Sequence, residues 1–269
     1  MFRYRKLYAD LITESGSVCV AYVTWLTLFG FELSTAGYEW YSQTGERRVL
    51  RAVGPVAVEM VPGGVELGFT TPAGAFALTL RGASHEPGAA PQLLTPHLSW
   101  RVQAERAEAR ATGVAGAASL VGAGYADYVE MTRPPRALGL ASVEWGRGHA
   151  AGESFVFTRA RFGDGRVFRF GLRNGTLESA LELTRDQDAG LLIQLGDATV
   201  MLQNERVLHA GAALDRARFP GRAERAFARL CSGSMRETRW LARARFPNGE
   251  SALALHERVL WNGARVEPG

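Results

Sequence analysis

The stretch 153-ESFVFTRARFGDGRVFRFGLRNG-175 decides the fold class of this chain. It holds two runs in which aromatic and aliphatic residues alternate with smaller or polar ones, separated by Gly163-Asp164-Gly165. A period of two is typical of a strand with one buried face, and a glycine-rich turn joins two such strands. The stretch therefore predicts an antiparallel β-hairpin.

Similar strand-like runs, broken by turn residues, fill most of the 269 residues. Gln43 to Gly45 and Pro247-Asn248-Gly249 are two such turn signals. The segment 101-RVQAERAEARATG-113 fits a helix and a solvated strand equally well. Because no segment resembles the crossover helix of a βαβ unit, we predict an all-β, antiparallel architecture.

The most apolar run is 17-SVCVAYVTWLTLFGFEL-33. Asp10 and Glu14 precede it, threonines and Gly30 interrupt it, and it is shorter than the ~20 residues that a membrane-spanning helix needs. Its β-branched and aromatic content favours a pair of buried strands. We therefore expect no integral membrane segment.

Composition and charge exclude several classes of function. The net charge is only +4 and the cations are scattered, so nucleic-acid binding is not expected. Cys19 and Cys231 are far apart, which supports neither a disulfide framework nor a zinc site and favours a reduced, cytoplasmic location. The five histidines lack metal-binding spacing, and no nucleophile elbow or phosphate-binding loop occurs. We expect neither a metal nor a cofactor.

One three-residue motif occurs twice, as Tyr8-Ala9-Asp10 and as Tyr125-Ala126-Asp127, 117 residues apart. That separation is about the length of one small domain. We therefore predict two β-barrel domains, residues 1–115 and 116–269.

In a strand, Tyr8 and Asp10 point to one face, away from the apolar residues that flank them. Solvent exposure explains the first copy equally well. At the second copy, Tyr125 and Asp127 share a face with Val129 and Met131, so the carboxyl group has apolar neighbours. A carboxyl group in such surroundings finds donors or stays protonated, and a protonated acid is what an unactivated double bond requires.

Two further segments carry candidate side chains. Val143, Trp145 and Arg147 alternate onto one face, where Arg147 either fixes an acid or reaches solvent at a strand end. His256 and Glu257, in the last predicted strand, either face the lumen of a barrel or form an ordinary hydrogen-bonded pair at a barrel end, and we favour the second interpretation.

The stretch 122-GAGYADYVEMTRPPRALGLASVEWGRG-148 combines a Gly-x-Gly-Tyr-x-Asp opening, a Pro-Pro pair and a Trp-Gly-Arg close. In these features it resembles the carotenoid 1,2-hydratase (hydroxyneurosporene synthase) family. That family belongs to a wider group of calycin-like proteins built from two lipocalin-like β-barrels in tandem. The resemblance implies acid-catalysed addition of water to an isoprenoid double bond without a cofactor, and related enzymes cyclise polyenes.

Carried across by position, the resemblance makes Asp127 the candidate proton donor and Tyr125 its neighbour. Arg147, from its place in the alternating strand, is a further catalytic candidate that would help to set the protonation of the acid. The family pattern has histidine where this chain has Tyr128. Cyclisation and isomerisation therefore stand beside hydration. The predicted substrate is an apolar, polyene- or isoprenoid-like small molecule. The residues predicted to contact it are Tyr8, Asp10, Trp25, Tyr128 and Trp145.

Two alternatives stay open at this point. A non-catalytic carrier of a lipid or pigment needs the same apolar site, and a pericyclase that acts by shape alone needs no acid. The sequence also leaves open whether the chain forms a homodimer.

Overall fold

The computed structural model describes residues 1–53, 56–61, 64–71, 74–82, 92–114, 119–178, 180–186, 190–212 and 235–261. Within these ranges the chain forms β-strands, all paired antiparallel, and one short helix, α1 (Pro135–Leu138). The predicted all-β, antiparallel architecture is confirmed. No helix in the described ranges has the length and apolar character needed to cross a membrane.

The first sheet contains ten strands. They are β1 (Phe2–Ile12), β2 (Val18–Leu28), β3 (Phe31–Tyr41), β4 (Arg47–Val53), β5 (Ala57–Val61), β6 (Gly64–Thr71), β7 (Gly74–Arg81), β8 (Gln92–Thr95), β9 (Leu98–Thr112) and β10 (Ser119–Met131). Their order is β4-β3-β2-β1-β10-β9-β7-β6-β5, with β8 paired to β9. The first strand thus pairs with the last.

The second sheet contains nine strands. They are β11 (Leu140–His149), β12 (Ser154–Phe162), β13 (Val167–Arg173), β14 (Thr176–Glu178), β15 (Leu181–Asp186), β16 (Gly190–Leu195), β17 (Ala198–Ala212), β18 (Arg236–Arg245) and β19 (Ser251–Leu260). Their order is β14-β13-β12-β11-β19-β18-β17-β16-β15. Here too, the first strand pairs with the last.

The chain divides into two compact units, Met1–Arg133 and Pro134–Gly269. This division falls after residue 133, whereas the boundary predicted near residue 115 lies outside the described residues. The reason is that β10 pairs with both β9 and β1 and so completes the first sheet. The second Tyr-Ala-Asp copy therefore ends the first unit and does not begin the second.

Three segments of the sequence were assigned local structure, and the described residues cover all three. The apolar run at 17–33 forms β2 and the start of β3, joined by a turn in which Phe29 and Gly30 have positive φ. The hairpin over 153–175 consists of β12 and β13 around Gly163–Gly165. Segment 101–113 lies mainly in β9, whose side chains are alternately buried and exposed over much of its length, so the strand alternative is correct.

Each unit has its own apolar core. In the first, Leu7, Ala9 and Leu11 of β1 pack with side chains from β2, β3, β6, β7 and β9. In the second, Phe155 and Phe157 of β12 pack with side chains from β15 to β19. These cores define an inner and an outer face for each sheet.

Candidate functional site

The two Tyr-Ala-Asp copies are direct neighbours across the pairing of β1 with β10. In that register Tyr8 lies opposite Asp127, Ala9 opposite Ala126, and Asp10 opposite Tyr125. Because the strands run antiparallel, each tyrosine faces the aspartate of the other copy. The repeated motif therefore builds one four-residue cluster, which we call the Tyr–Asp cluster.

The Tyr–Asp cluster lies on the outer face of the first sheet. Ala9 and Ala126 belong to the apolar core, so the residues that alternate with them point the other way. All four cluster side chains are nevertheless buried, and Asp127 is only 4% exposed. The surface interpretation of the first copy is therefore wrong.

Within the cluster, the hydroxyl of Tyr125 donates a hydrogen bond to Oδ2 of Asp127 at 3.0 Å. Burial raises the pKa of Tyr125 well above its ordinary value, and the hydrogen bond to Asp127 adds to the effect. Tyr125 therefore stays protonated and remains a donor. The rings of Tyr8 and Tyr125 lie 6.3 Å apart between centroids, inclined at 58°.

The pairing of β10 with β9 is irregular at this cluster. The register shifts between Gly124 and Ala126 and again between Ala126 and Asp127. Glu105 lies on β9 within the first of these register shifts. It is buried, and its charge acts on Tyr125. β-Bulges are common next to functional sites because they redirect side chains.

Gly124, in the Gly-x-Gly opening of the motif, has a packing role. A Cβ at this position would lie 2.5 Å from Cβ of Ala109 and 2.9 Å from Cδ2 of Leu80. Only glycine therefore lets β10 approach the core beside the bulge.

Trp25 and Tyr128 do not join the Tyr–Asp cluster. Both pack against the apolar core of the first unit, on the inner face, whereas Asp127 points outward. Arg5 lies over the ring of Trp25 at 5.6 Å and also hydrogen-bonds Tyr128. The prediction that these two aromatic side chains line one pocket with Asp127 is therefore corrected: the sheet separates them.

Trp145 and Arg147 lie on β11 in the second unit. Both are buried and Arg147 is fully so, which rules out the alternative that Arg147 reaches solvent. Glu144, between Val143 and Trp145 in sequence, points to the inner face, so the predicted alternation is correct.

The inner face of the second sheet holds a polar group that the sequence did not reveal, which we call the Glu144 cluster. Oε2 of Glu144 accepts a hydrogen bond from Arg159 at 2.6 Å. Oε1 accepts from Arg185, from Arg258 at 3.4 Å and from Nε2 of His256 at 3.1 Å. Arg185 lies on β15, the last strand in the order of the second sheet, whereas Glu144 lies on β11. The ion pair between Arg185 and Glu144 therefore spans the inner face.

His256 is held on both sides and stacked. Its Nδ1 lies 2.9 Å from Oδ1 of Asn204, and its ring stacks on Trp240 at 4.8 Å. Glu257 instead points to the outer face and accepts a hydrogen bond from Arg239 at 2.8 Å. The interpretation of His256 and Glu257 as a mutual pair is therefore wrong, because consecutive strand residues face opposite sides.

The charges in the Glu144 cluster have defined directions. Burial alone would raise the pKa of Glu144, but the hydrogen bond and charge of His256 and the charges of Arg185 and Arg258 outweigh it and hold that pKa far below its ordinary value. Burial lowers the pKa of His256, although its hydrogen bond to Glu144 acts against the shift. At neutral pH we therefore describe Glu144 as ionised and His256 as neutral.

The Glu144 cluster could not be found by spacing, since Glu144 and His256 are 112 residues apart. The available signal was the alternation Ala254, His256, Arg258, which puts two polar residues on the core face of the last strand. In the described part of the chain, no group of three or more His, Cys, Asp or Glu side chains is arranged to hold a metal ion.

Comparison with known proteins places the fold. No family model and no curated protein matches the chain. A protein from Nitrosomonas europaea assigned as AttH matches 98% of this chain and 93% of its own, with 10% identity and a TM-score of 0.60. CghA with Sch210972 matches 100% of this chain and 89% of its own, with 11% identity and a TM-score of 0.60. Kievitone hydratase from Nectria haematococca matches 98% of this chain and 90% of its own, with 10% identity and a TM-score of 0.56.

At 10% to 12% identity these likenesses establish the fold. The chain is an all-β protein of two antiparallel sheets, as predicted, and it shares this fold with the three proteins above.

Proposed function

We propose that the protein is a cofactor-independent enzyme that protonates a carbon–carbon double bond of an apolar, isoprenoid- or polyene-like small molecule. Asp127 is the proton donor and Tyr125 is its hydrogen-bonding partner. The observation that carries the proposal is the burial of Asp127, 4% exposed, beside the Tyr125 hydroxyl at 3.0 Å.

Burial favours the un-ionised form of a carboxylic acid, because a charge is costly to remove from water. Asp10, opposite Tyr125 on β1, is a second buried carboxyl group of the cluster. When two carboxyl groups share a buried site, the charge of one opposes ionisation of the other. Both effects favour a protonated acid in the Tyr–Asp cluster at neutral pH.

The reaction begins when Asp127 gives its proton to one alkene carbon and the other carbon becomes a cation. The C=C π bond supplies the electron pair for the new C–H bond, and the carboxylate left on Asp127 accepts the hydrogen bond of Tyr125. The π faces of Tyr8 and Tyr125 stabilise the cation.

The fate of the cation sets the reaction class. Capture by water, whose surplus proton returns to the Asp127 carboxylate, gives hydration. Attack by a second double bond forms a ring and a new cation, which loses a proton to Asp127 and gives cyclisation. Direct loss of a neighbouring proton to Asp127 gives isomerisation. A hydratase among the structural neighbours supports the first outcome at the level of the fold. The residues of this proposal all belong to the first unit.

The test is deuterium transfer. The protein is incubated in D2O with acyclic isoprenoid alkenes and conjugated polyenes, and the products are analysed by mass spectrometry. Wild type is expected to give a hydrated or cyclised product with one non-exchangeable deuterium on carbon. Asp127→Asn is expected to abolish that product while still binding the same probe, as measured by polyene absorbance.

Glu39→Gln is the matched control, because it alters a buried carboxyl group on β3 of the same sheet, outside the Tyr–Asp cluster. It is expected to retain deuterium transfer. Binding without any product indicates a carrier, and product without deuterium indicates a shape-selective pericyclase. Unchanged product from Asp127→Asn, or loss of product in Glu39→Gln alone, contradicts the assignment.

A further inference from the structure

The Glu144 cluster carries more positive than negative charge. Arg159, Arg185 and Arg258 all converge on the single carboxylate of Glu144, and His256 is neutral. Two of the three guanidinium charges therefore lack a counter-charge within the cluster. An unbalanced pair of cations on a partly buried face is costly unless an anion or water compensates for it.

The three guanidinium groups donate only part of their hydrogen bonds to Glu144. Each donates one N–H to this carboxylate, although a guanidinium has five N–H donors. Nε of Arg258 is buried and has no hydrogen-bond partner within the described part of the chain. The side chains are 16% to 28% exposed, whereas Glu144 is 5% exposed, so the carboxylate lies deeper than the donors around it.

The cluster is also held rigidly. Arg258 lies over the ring of Trp240 at 5.6 Å, and the same ring stacks on His256. Glu144, Arg159 and Arg258 are cross-strand neighbours on β11, β12 and β19. Donors fixed in this way lose little entropy when they bind a ligand.

We propose that the inner face of the second sheet is a binding site for an oxyanion, a carboxylate or phosphate group that docks on Arg159, Arg185 and Arg258. The planar fork of a guanidinium matches two oxygens of either group. Glu144 holds the three arginines in place and accepts one hydrogen bond from each of them. Its carboxylate therefore competes with the bound anion for the same guanidinium groups. This site is separate from the Tyr–Asp cluster and does not depend on its chemistry.

The test measures binding of inorganic phosphate and of propionate to the full chain by titration calorimetry, with sodium chloride at matched ionic strength as the reference. Wild type is expected to bind at least one of the two anions saturably, and the comparison identifies which headgroup the site prefers. Arg185→Gln removes the most exposed of the three donors and is expected to weaken binding roughly tenfold to a hundredfold.

Arg243→Gln is the matched control, since Arg243 is an exposed arginine of the same sheet that pairs with Glu205 at 2.6 Å. It is expected to bind the anion as wild type does. Glu144→Gln provides a second readout that does not require an unchanged fold stability: the anion should raise the melting temperature of this variant more than that of wild type. A merely structural cluster does not produce that difference.

Three results overturn the proposal. Wild type shows no saturable binding beyond the chloride reference, or Arg185→Gln and Arg243→Gln bind equally well. Alternatively, the anion stabilises Glu144→Gln no more than it stabilises wild type.

Discussion

Asp127 of β10 lies directly opposite Tyr8 of β1, and Asp10 lies opposite Tyr125 in the same register. The two copies of the Tyr-Ala-Asp motif thus form a reciprocal pair across two adjacent antiparallel strands. All four side chains point to the outer face of the sheet, yet all four are buried. The cluster is therefore not a solvent-exposed polar surface. This relationship underlies the first prediction.

Tyr125→Phe removes the hydroxyl that donates to Asp127 while keeping the ring. The loss of a buried hydrogen bond is expected to cost about 1–3 kcal/mol of unfolding free energy. Activity should fall further than stability explains, because the carboxylate formed on proton transfer loses its donor. Chemical denaturation and turnover of the same preparation measure the two effects.

Tyr41→Phe is the control for that experiment. The hydroxyl of Tyr41 donates to the buried carboxylate of Glu39, three strands away from β10 in the same sheet. It should lose comparable stability and keep its turnover. Equal loss of turnover in both variants would mean that Tyr125 acts only through the fold.

Much of the fold could be predicted because strand alternation and turn residues are local properties. The hairpin over 153–175 and the strand pair in 17–33 depend on neighbours within the same segment. The division after residue 133 could not be read from the sequence, because a repeated motif can mark two paired strands as well as two domain starts. Only the register of β1 with β10 distinguishes these cases, and that register depends on residues more than one hundred positions apart.

The candidate site was predictable in part for the same reason. Alternation placed Tyr125 and Asp127 on one face of their strand among apolar neighbours, and it left open whether Arg147 is buried or reaches solvent. The separation of Trp25 and Tyr128 from Asp127 depends on which face of the sheet meets the core, and the Glu144 cluster depends on contacts between β11, β12, β15 and β19. Neither is encoded in a single segment.

The Glu144 cluster should make stability depend on acidity in two steps. The pKa of His256 is lowered from its ordinary value of 6.5, so the unfolded chain binds more protons and stability falls as the pH drops below 6.5. The pKa of Glu144 is lowered from 4.5, so its contribution is complete above pH 4.5 and is lost as the pH falls through the folded-state pKa. Both titrations destabilise the folded protein in acid.

Unfolding free energies measured from about pH 3 to about pH 8 test this assignment. Glu144→Gln leaves three guanidinium groups without their carboxylate and should cost roughly 3 kcal/mol at neutral pH. This variant should also lose less unfolding free energy than wild type as the pH falls below 4.5. His256→Gln should flatten the fall in stability just below pH 6.5. If both variants lose stability with falling pH just as wild type does, the titrating groups lie elsewhere.

Gly146 allows Phe157 to pack inside the second unit. A Cβ at Gly146 would lie 2.6 Å from Cε1 of Phe157 and 2.9 Å from the carbonyl oxygen of Leu255. Because Phe157 is fully buried in the core, Gly146→Ala should destabilise the protein by about 1–3 kcal/mol. Gly68→Ala is the control, since its Cβ would meet nothing closer than 3.8 Å. Comparable melting temperatures for the two variants would contradict this packing.

The central claim is that Asp127 is held as an un-ionised acid at neutral pH. Infrared difference spectroscopy of wild type against Asp127→Asn measures this directly, because a protonated carboxyl group and a carboxylate absorb at separate frequencies. We predict that the wild-type spectrum contains the carbonyl stretch of a protonated carboxylic acid that is missing from the variant. A difference spectrum with carboxylate bands alone would show that Asp127 is ionised and would contradict the proposed acid catalysis.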